Sequence, residues 1–115
     1  MTNERILIMN QPNILILHLD ELRQDCLGCY DNPDIQTPNI DALAADGVTY
    51  QNHYTVYPVC TPSRYSLFCS LYVHQHAAWD NHCTLPSGYP TFPKLLRENG
   101  YQTTAVGKMH MTPTY

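Results

Sequence analysis

The chain has 115 residues with 43% hydrophobic and 14% charged side chains, enough for one folded unit and too few for two full domains. With 6 Lys and Arg against 10 Asp and Glu, and a net charge of −4, it lacks the basic surplus that displaces counterions from a nucleic-acid backbone, which excludes non-specific nucleic-acid binding. The charged share lies well below the roughly 25% of ordinary soluble chains, a deficit that suggests that part of this surface expects cover.

In chain order, Ile6-Leu7-Ile8-Met9 is an apolar run cut short by Asn10-Gln11-Pro12. It is too brief for a signal core or a spanning helix, so a cytoplasmic chain without a membrane partner is expected. Asn13-Ile14-Leu15-Ile16-Leu17-His18-Leu19 reads as a strand buried on both faces of a parallel sheet. Its carboxyl end presents Asp20 and Glu21 where open α/β sheets bind ligands, although a solvated loop acid fits the same pattern. Residues 26–37 are turn-rich. Thr37-Pro38 then opens a helix whose Ile40, Leu43 and Ala44 share a face, stopping at Gly47. Val48-Thr49-Tyr50 reads as a short strand, and residues 65–71 as a helix with Leu67 and Leu71 one turn apart. A further helix runs from Thr91, a cap, through Phe92, Leu95 and Leu96 to Gly100, suited to a left-handed stop. A strand over 101–106 follows and ends at Gly107-Lys108. Strands alternating with helices predict an α/β fold, and no linker divides residues 1–115, so one domain is expected.

Cysteines at 26, 29, 60, 69 and 83 are odd in number and irregular in spacing, which argues against a disulfide framework. Cys60 precedes Pro62, and Pro suits a first helical turn. The thiol would then lie at the positive end of a helix beside Arg64, an arrangement suited to a reactive cysteine or an anion site. A buried structural thiol is the plainer reading of a lone Cys. Separately, Cys26-Leu27-Gly28-Cys29 has the spacing of redox and zinc sites, with His74, His76, His82 and Cys83 as further donors.

Cys60-Thr61-Pro62-Ser63-Arg64 resembles the signature of the formylglycine-dependent sulfatases of the alkaline-phosphatase superfamily. Three other segments resemble the family in order: Pro12 to Ile16 leading to Asp20, Thr37 to Ala44, and Gly100-Tyr101-Gln102-Thr103 with Gly107-Lys108-Met109-His110. The resemblance covers residues 12–111. It implies the N-terminal part of an alkaline-phosphatase-like fold, with a mostly parallel central sheet flanked by helices. It also implies hydrolysis of a small-molecule sulfate ester by a formylglycine made from Cys60: one hydroxyl of the aldehyde hydrate attacks sulfur and the second expels sulfate. Asp20, with Glu21 and the Cys60 position as further ligands, would hold a divalent metal. Ca2+ is the first choice, and Mg2+, Mn2+ or Zn2+ are alternatives. Arg64 would hold the hydrate, Lys108 a sulfate oxygen and the leaving group, and His110 the hydrate or the sulfate. In an extended strand, Lys108 and His110 would also point to one side.

The sequence departs from the family pattern at Cys69-Ser70-Leu71, where Thr-Gly-Arg is usual, and at Asp31 and Ala77, where glycine is common. If those backbones need φ > 0, the substitutions cost stability. Family members run to several hundred residues, so the chain is expected to be an N-terminal piece, inactive alone, with an open sheet that the remainder of the sulfatase or a partner would cover. A phosphonate or phosphate monoester hydrolase of the same superfamily is the nearest alternative, and a non-catalytic relic or interaction fragment the next.

Overall fold

A computed structural model describes residues 11–111; the apolar run 6–9 lies outside them. The chain divides into two compact units, Met1–Ala44 and Ala45–Tyr115. Among the described residues no helix is long and apolar enough to cross a membrane.

In the first unit, short 3-10 turns at Gln24–Cys26 and Gly28–Tyr30 precede helix α1, Pro38–Asp46, whose last two residues fall past the unit boundary. Pro38 occupies the first helical position, where its missing N–H costs nothing. Polar contacts fix this start: Thr37 Oγ1 accepts from Gly28 N at 2.9 Å and donates to Asp41 Oδ1 at 2.7 Å. Asp41 Oδ1 also accepts from Cys29 N at 2.8 Å, so one carboxylate joins α1 to the preceding turn. On the face shared by Ile40, Leu43 and Ala44 no residue is buried, and Leu43 is 67% exposed. Local hydrogen bonds therefore seat this helix rather than burial.

The second unit carries α2, Cys60–Cys69, α3, Val73–His76, and α4, Phe92–Glu98. Helix α2 lies against both α3 and α4, and Phe68 meets Phe92 with ring centroids 5.1 Å apart. Its buried stripe is Thr61, Pro62, Arg64, Tyr65, Ser66 and Cys69, with Thr61/Tyr65, Pro62/Ser66 and Tyr65/Cys69 at helical i,i+4 spacing. The buried set is unusually polar: Tyr65, Cys69, Val73 and Ala78 are joined by Thr61, Arg64, Ser66 and His76. Such groups stay buried only when hydrogen-bonded. Accordingly, Ser66 Oγ lies 2.9 Å from His76 Nε2, while Ala78 N–H donates to His76 Nδ1 at 3.2 Å. With Nδ1 accepting, the ring proton sits on Nε2 and faces Ser66.

Burial holds the His76 pKa below its ordinary 6.5 because desolvation disfavours the charged ring. The unfolded chain therefore takes up the proton first, and this contribution to stability is present above about pH 6.5 and lost as pH falls below it. The denaturation midpoint should drop between about pH 7.5 and 5, above the carboxylate range, and H76Q should flatten that slope. An unchanged slope in H76Q would refute the assignment.

Several element ends differ from expectation. Helix α2 begins at Cys60 and stops at Cys69, because Ser70 turns left-handed at φ 57° and donates its N–H to Ser66 O at 2.9 Å. Leu71 thus falls outside the helix. Thr91 makes no side-chain cap to α4; its carbonyl accepts from Leu95 N instead. Gly100 does take the left-handed conformation, at φ 87°. Asp31 and Ala77, where φ > 0 was the question, sit at φ 66° and 56°, each costing about 1 kcal/mol relative to glycine.

No strand is present among the described residues. The segments 13–19, 48–50 and 101–106 carry no sheet pairing, and their apolar side chains stand in the open, Leu15 at 82% and Val106 at 93% exposure. A strand apolar on both faces needs neighbours on both edges and cover on both sides, and nothing within these residues supplies them.

Candidate functional site

Four of the residues singled out by sequence, Cys60, Arg64, Lys108 and His110, belong to the second unit. Cys60 is the first residue of α2, after an extended Val59 at φ −123°, ψ 143° that offers no side-chain cap. Its thiol is half-buried and stands where the unpaired N–H groups of a helix start favour negative charge. Lys108 Nζ approaches Cys60 Sγ to 3.8 Å, across a sequence gap of 48 residues.

One turn along α2, Arg64 is 6% exposed and its Nη1 donates to Lys108 O at 2.8 Å. The guanidinium thereby fastens the backbone from which the Lys108 ammonium reaches Cys60. Gly107, at φ 97°, supplies the left-handed bend that admits this segment, a conformation other residues adopt only with strain. Thr61 Oγ1 donates to His110 O at 3.2 Å, and the single Tyr65 hydroxyl proton is shared between Met111 O at 2.6 Å and Cys83 O at 2.9 Å. Burial raises the Tyr65 pKa above its ordinary 10, so the phenol remains a donor. Successive turns of α2 thus hold the 108–111 segment by hydrogen bonds to its backbone.

His110 departs from the extended geometry that would have placed it beside Lys108. It is left-handed at φ 52°, which removes the strand alternation from which a shared side was argued. Its Nδ1 is buried and has no hydrogen-bond partner among the described residues. A strained backbone and an unsatisfied buried nitrogen at one residue are the kind of departure that collects at functional sites.

Asp20 and Glu21 lie in the first unit, exposed, with Glu21 left-handed at φ 56°. Their carboxylate oxygens suit a hard cation, yet no group of three or more His, Cys, Asp or Glu among the described residues could hold a metal. Cys60, the third expected ligand, belongs to the second unit. Of the alternative zinc donors, Cys26 Sγ contacts Asp25 Oδ1 at 3.9 Å, Cys83 Sγ contacts Asp80 Oδ1 at 3.3 Å, and His76 Nε2 lies against Ser66 Oγ.

One side chain that the sequence did not mark, Asn81, touches the residue next to Cys60, and another, Trp79, packs on Tyr57 upstream. Asn81 Oδ1 accepts from Thr61 N at 3.0 Å, and Trp79, half exposed, meets Tyr57 edge to face at 6.4 Å between ring centroids. A lone Asn in a turn carries no periodicity or motif by which sequence reading could find it.

The family model "Sulfatase" matches residues 12–115, and the chain belongs to the sulfatase family. It is 36% identical over 103 residues to the uncharacterized sulfatase YidJ of Escherichia coli, covering 90% of this chain and 21% of that protein. It is 37% identical over 101 residues to an N-acetylglucosamine-6-O-sulfatase of Bacteroides thetaiotaomicron (88% and 18%) and 37% identical over 113 residues to human steryl-sulfatase (89% and 19%). The chain thus spans about a fifth of the length of these curated relatives. The crystal structure of a phosphonate monoester hydrolase of Agrobacterium radiobacter superimposes with a TM-score of 0.75 at 33% identity, over 79% of this chain and 18% of that one. The likeness supports the expected alkaline-phosphatase-superfamily fold.

Proposed function

We propose that this chain is the N-terminal part of the catalytic domain of a sulfuric ester hydrolase, in which separate maturation machinery, supplying the oxidant, converts Cys60 to a formylglycine that reacts with a small-molecule sulfate ester. The observation that carries the reading is the placement of Cys60 Sγ at the start of α2, 3.8 Å from Lys108 Nζ. Sγ stands where an oxygen of the converted residue would be. When formed, the aldehyde supplies a hydrated carbon whose hydroxyl can act as nucleophile. The residues around it then have separable tasks. Lys108 would neutralise charge developing on a sulfate oxygen, Arg64 would hold the Lys108 segment in place, and the buried Nδ1 of His110 would meet a hydroxyl or sulfate oxygen.

A divalent cation, Ca2+ first, would take carboxylate oxygens from Asp20, with Glu21 and the Cys60 position as further ligands and more donors than the described residues supply. In the same reading 13–19 and 101–106 are strands of a mostly parallel sheet whose neighbours come from the rest of a sulfatase chain or from a partner. The 115 residues alone should then show no ester turnover.

Mass spectrometry of the peptide 57–71, from protein made with its own maturation machinery, tests the reading. Replacement of the Cys60 sulfur by a carbonyl oxygen is the expected result, and an unmodified thiol would favour the non-catalytic fragment. The phosphonate monoester hydrolase likeness favours one second reading, hydrolysis of phosphonate or phosphate esters. Both classes present a tetrahedral oxyanion to a lysine and a histidine. Relative rates on sulfate and phosphonate esters in the protein containing this chain would separate them.

A further inference from the structure

Four N–H groups at the start of any α-helix lack intrahelical partners, and a Ser, Thr, Asp or Asn just before the helix ordinarily caps them. Helix α2 has Val59 there, which cannot. The acceptor comes instead from 20 residues downstream, where Asn81 Oδ1 takes the Thr61 N–H at 3.0 Å. The Thr61 side chain is committed in the other direction, to His110 O at 3.2 Å, and the residue is 1% exposed. Thr61, next to Cys60, is thus clamped between two segments.

The segment bearing Asn81 is itself anchored on both sides. Before it, Ala78 N–H bonds the His76 ring at 3.2 Å. Beyond it, Cys83 O accepts from the Tyr65 hydroxyl at 2.9 Å, one turn below the cap. Between these points Asp80 Oδ1 accepts from His82 N at 2.8 Å, closing a turn around Asn81 of the kind Asp side chains favour. Helix α2 ties down, through Tyr65, the strap that caps its own first turn.

We infer that Asn81 is a positioning residue for Cys60: capping α2 from outside the helix, it fixes the first turn so that the Cys60 side chain faces Lys108. The inference rests on Cys60 being the reacting position. Its test uses the unconverted thiol, so it succeeds or fails whether or not Cys60 is ever oxidised to the aldehyde.

The test compares the chain with N81A and N81D. Amide exchange read residue by residue should quicken at Thr61 by about tenfold in N81A, the factor an ordinary cap supplies. The Tyr65 and Ser66 amides should keep their protection, which reports that the helix is still folded. N81D retains an acceptor and should restore the Thr61 protection. The second readout is the alkylation of Cys60 by iodoacetate relative to iodoacetamide, followed by fragment mass spectrometry. A thiol held against Lys108 at a helix start favours the anionic reagent, and N81A should lower that preference severalfold. Unchanged Thr61 exchange in N81A, an unchanged reagent preference, or loss of protection along all of α2 together with no rescue in N81D would each overturn the inference.

Discussion

Replacing Tyr65 with alanine should destabilise the second unit by about 3–5 kcal/mol, the range for removing a fully buried aromatic ring. Tyr65 is 0% exposed, packs edge to face on His76 at 6.0 Å between centroids, and its hydroxyl serves Met111 O at 2.6 Å and Cys83 O at 2.9 Å. Y65F separates the two roles. It keeps the ring and removes the one donor that the two carbonyls share, at a cost of about 1–3 kcal/mol. Denaturant titrations with unchanged slope would report these losses as midpoint shifts. A Y65A variant within about 1 kcal/mol of the parent would refute the stabilising role given to the ring.

The second large effect is expected at Arg64. Its guanidinium is buried and donates to Lys108 O at 2.8 Å, so R64A should release the Lys108 segment as well as weaken the fold. Hydrogen bonds from charged donors contribute about 1.5–3 kcal/mol, and the loss should lie in that range. The freed segment should be cut by trypsin after Lys108 about tenfold faster, since cleavage follows the open population. R64K keeps the charge but loses the planar fork, and it should fall between the two. Equal cleavage rates in R64A and the parent would show that Arg64 does not brace Lys108.

Helices were more legible than sheet in this sequence, and the residues show why. Thr37-Pro38 marked α1 because Pro at the first helical position and a Thr before it are local signals. Gly100 likewise marked the end of α4. The strands over 13–19 and 101–106 were argued from apolar content, but a strand exists only through its neighbours, and among residues 11–111 neither segment is paired. The positive-φ question raised at Asp31 and Ala77 was readable because glycine is usual at those places, and both are left-handed. Ser70, at the glycine of the usual Thr-Gly-Arg, is left-handed too.

At the site, a short motif brought forward Cys60 and Arg64, and a second one Lys108 and His110. What sequence could not give was the manner of their meeting. Arg64 grips a backbone carbonyl, His110 abandons the extended geometry, and Asn81 and Tyr65 act across gaps of 20 and 46 residues. Side-chain to backbone bonds over such distances leave no periodic trace.

The chain has one tryptophan, and that is a practical asset. Trp79 is half exposed, set edge-on to Tyr57 three residues before Cys60, and two residues before the Asn81 that holds the helix start. Its ultraviolet emission therefore originates from one known corner of the molecule, without competing indoles. Intensity and polarity-dependent colour thus report on the surroundings of Trp79 and its contact with Tyr57, without a label.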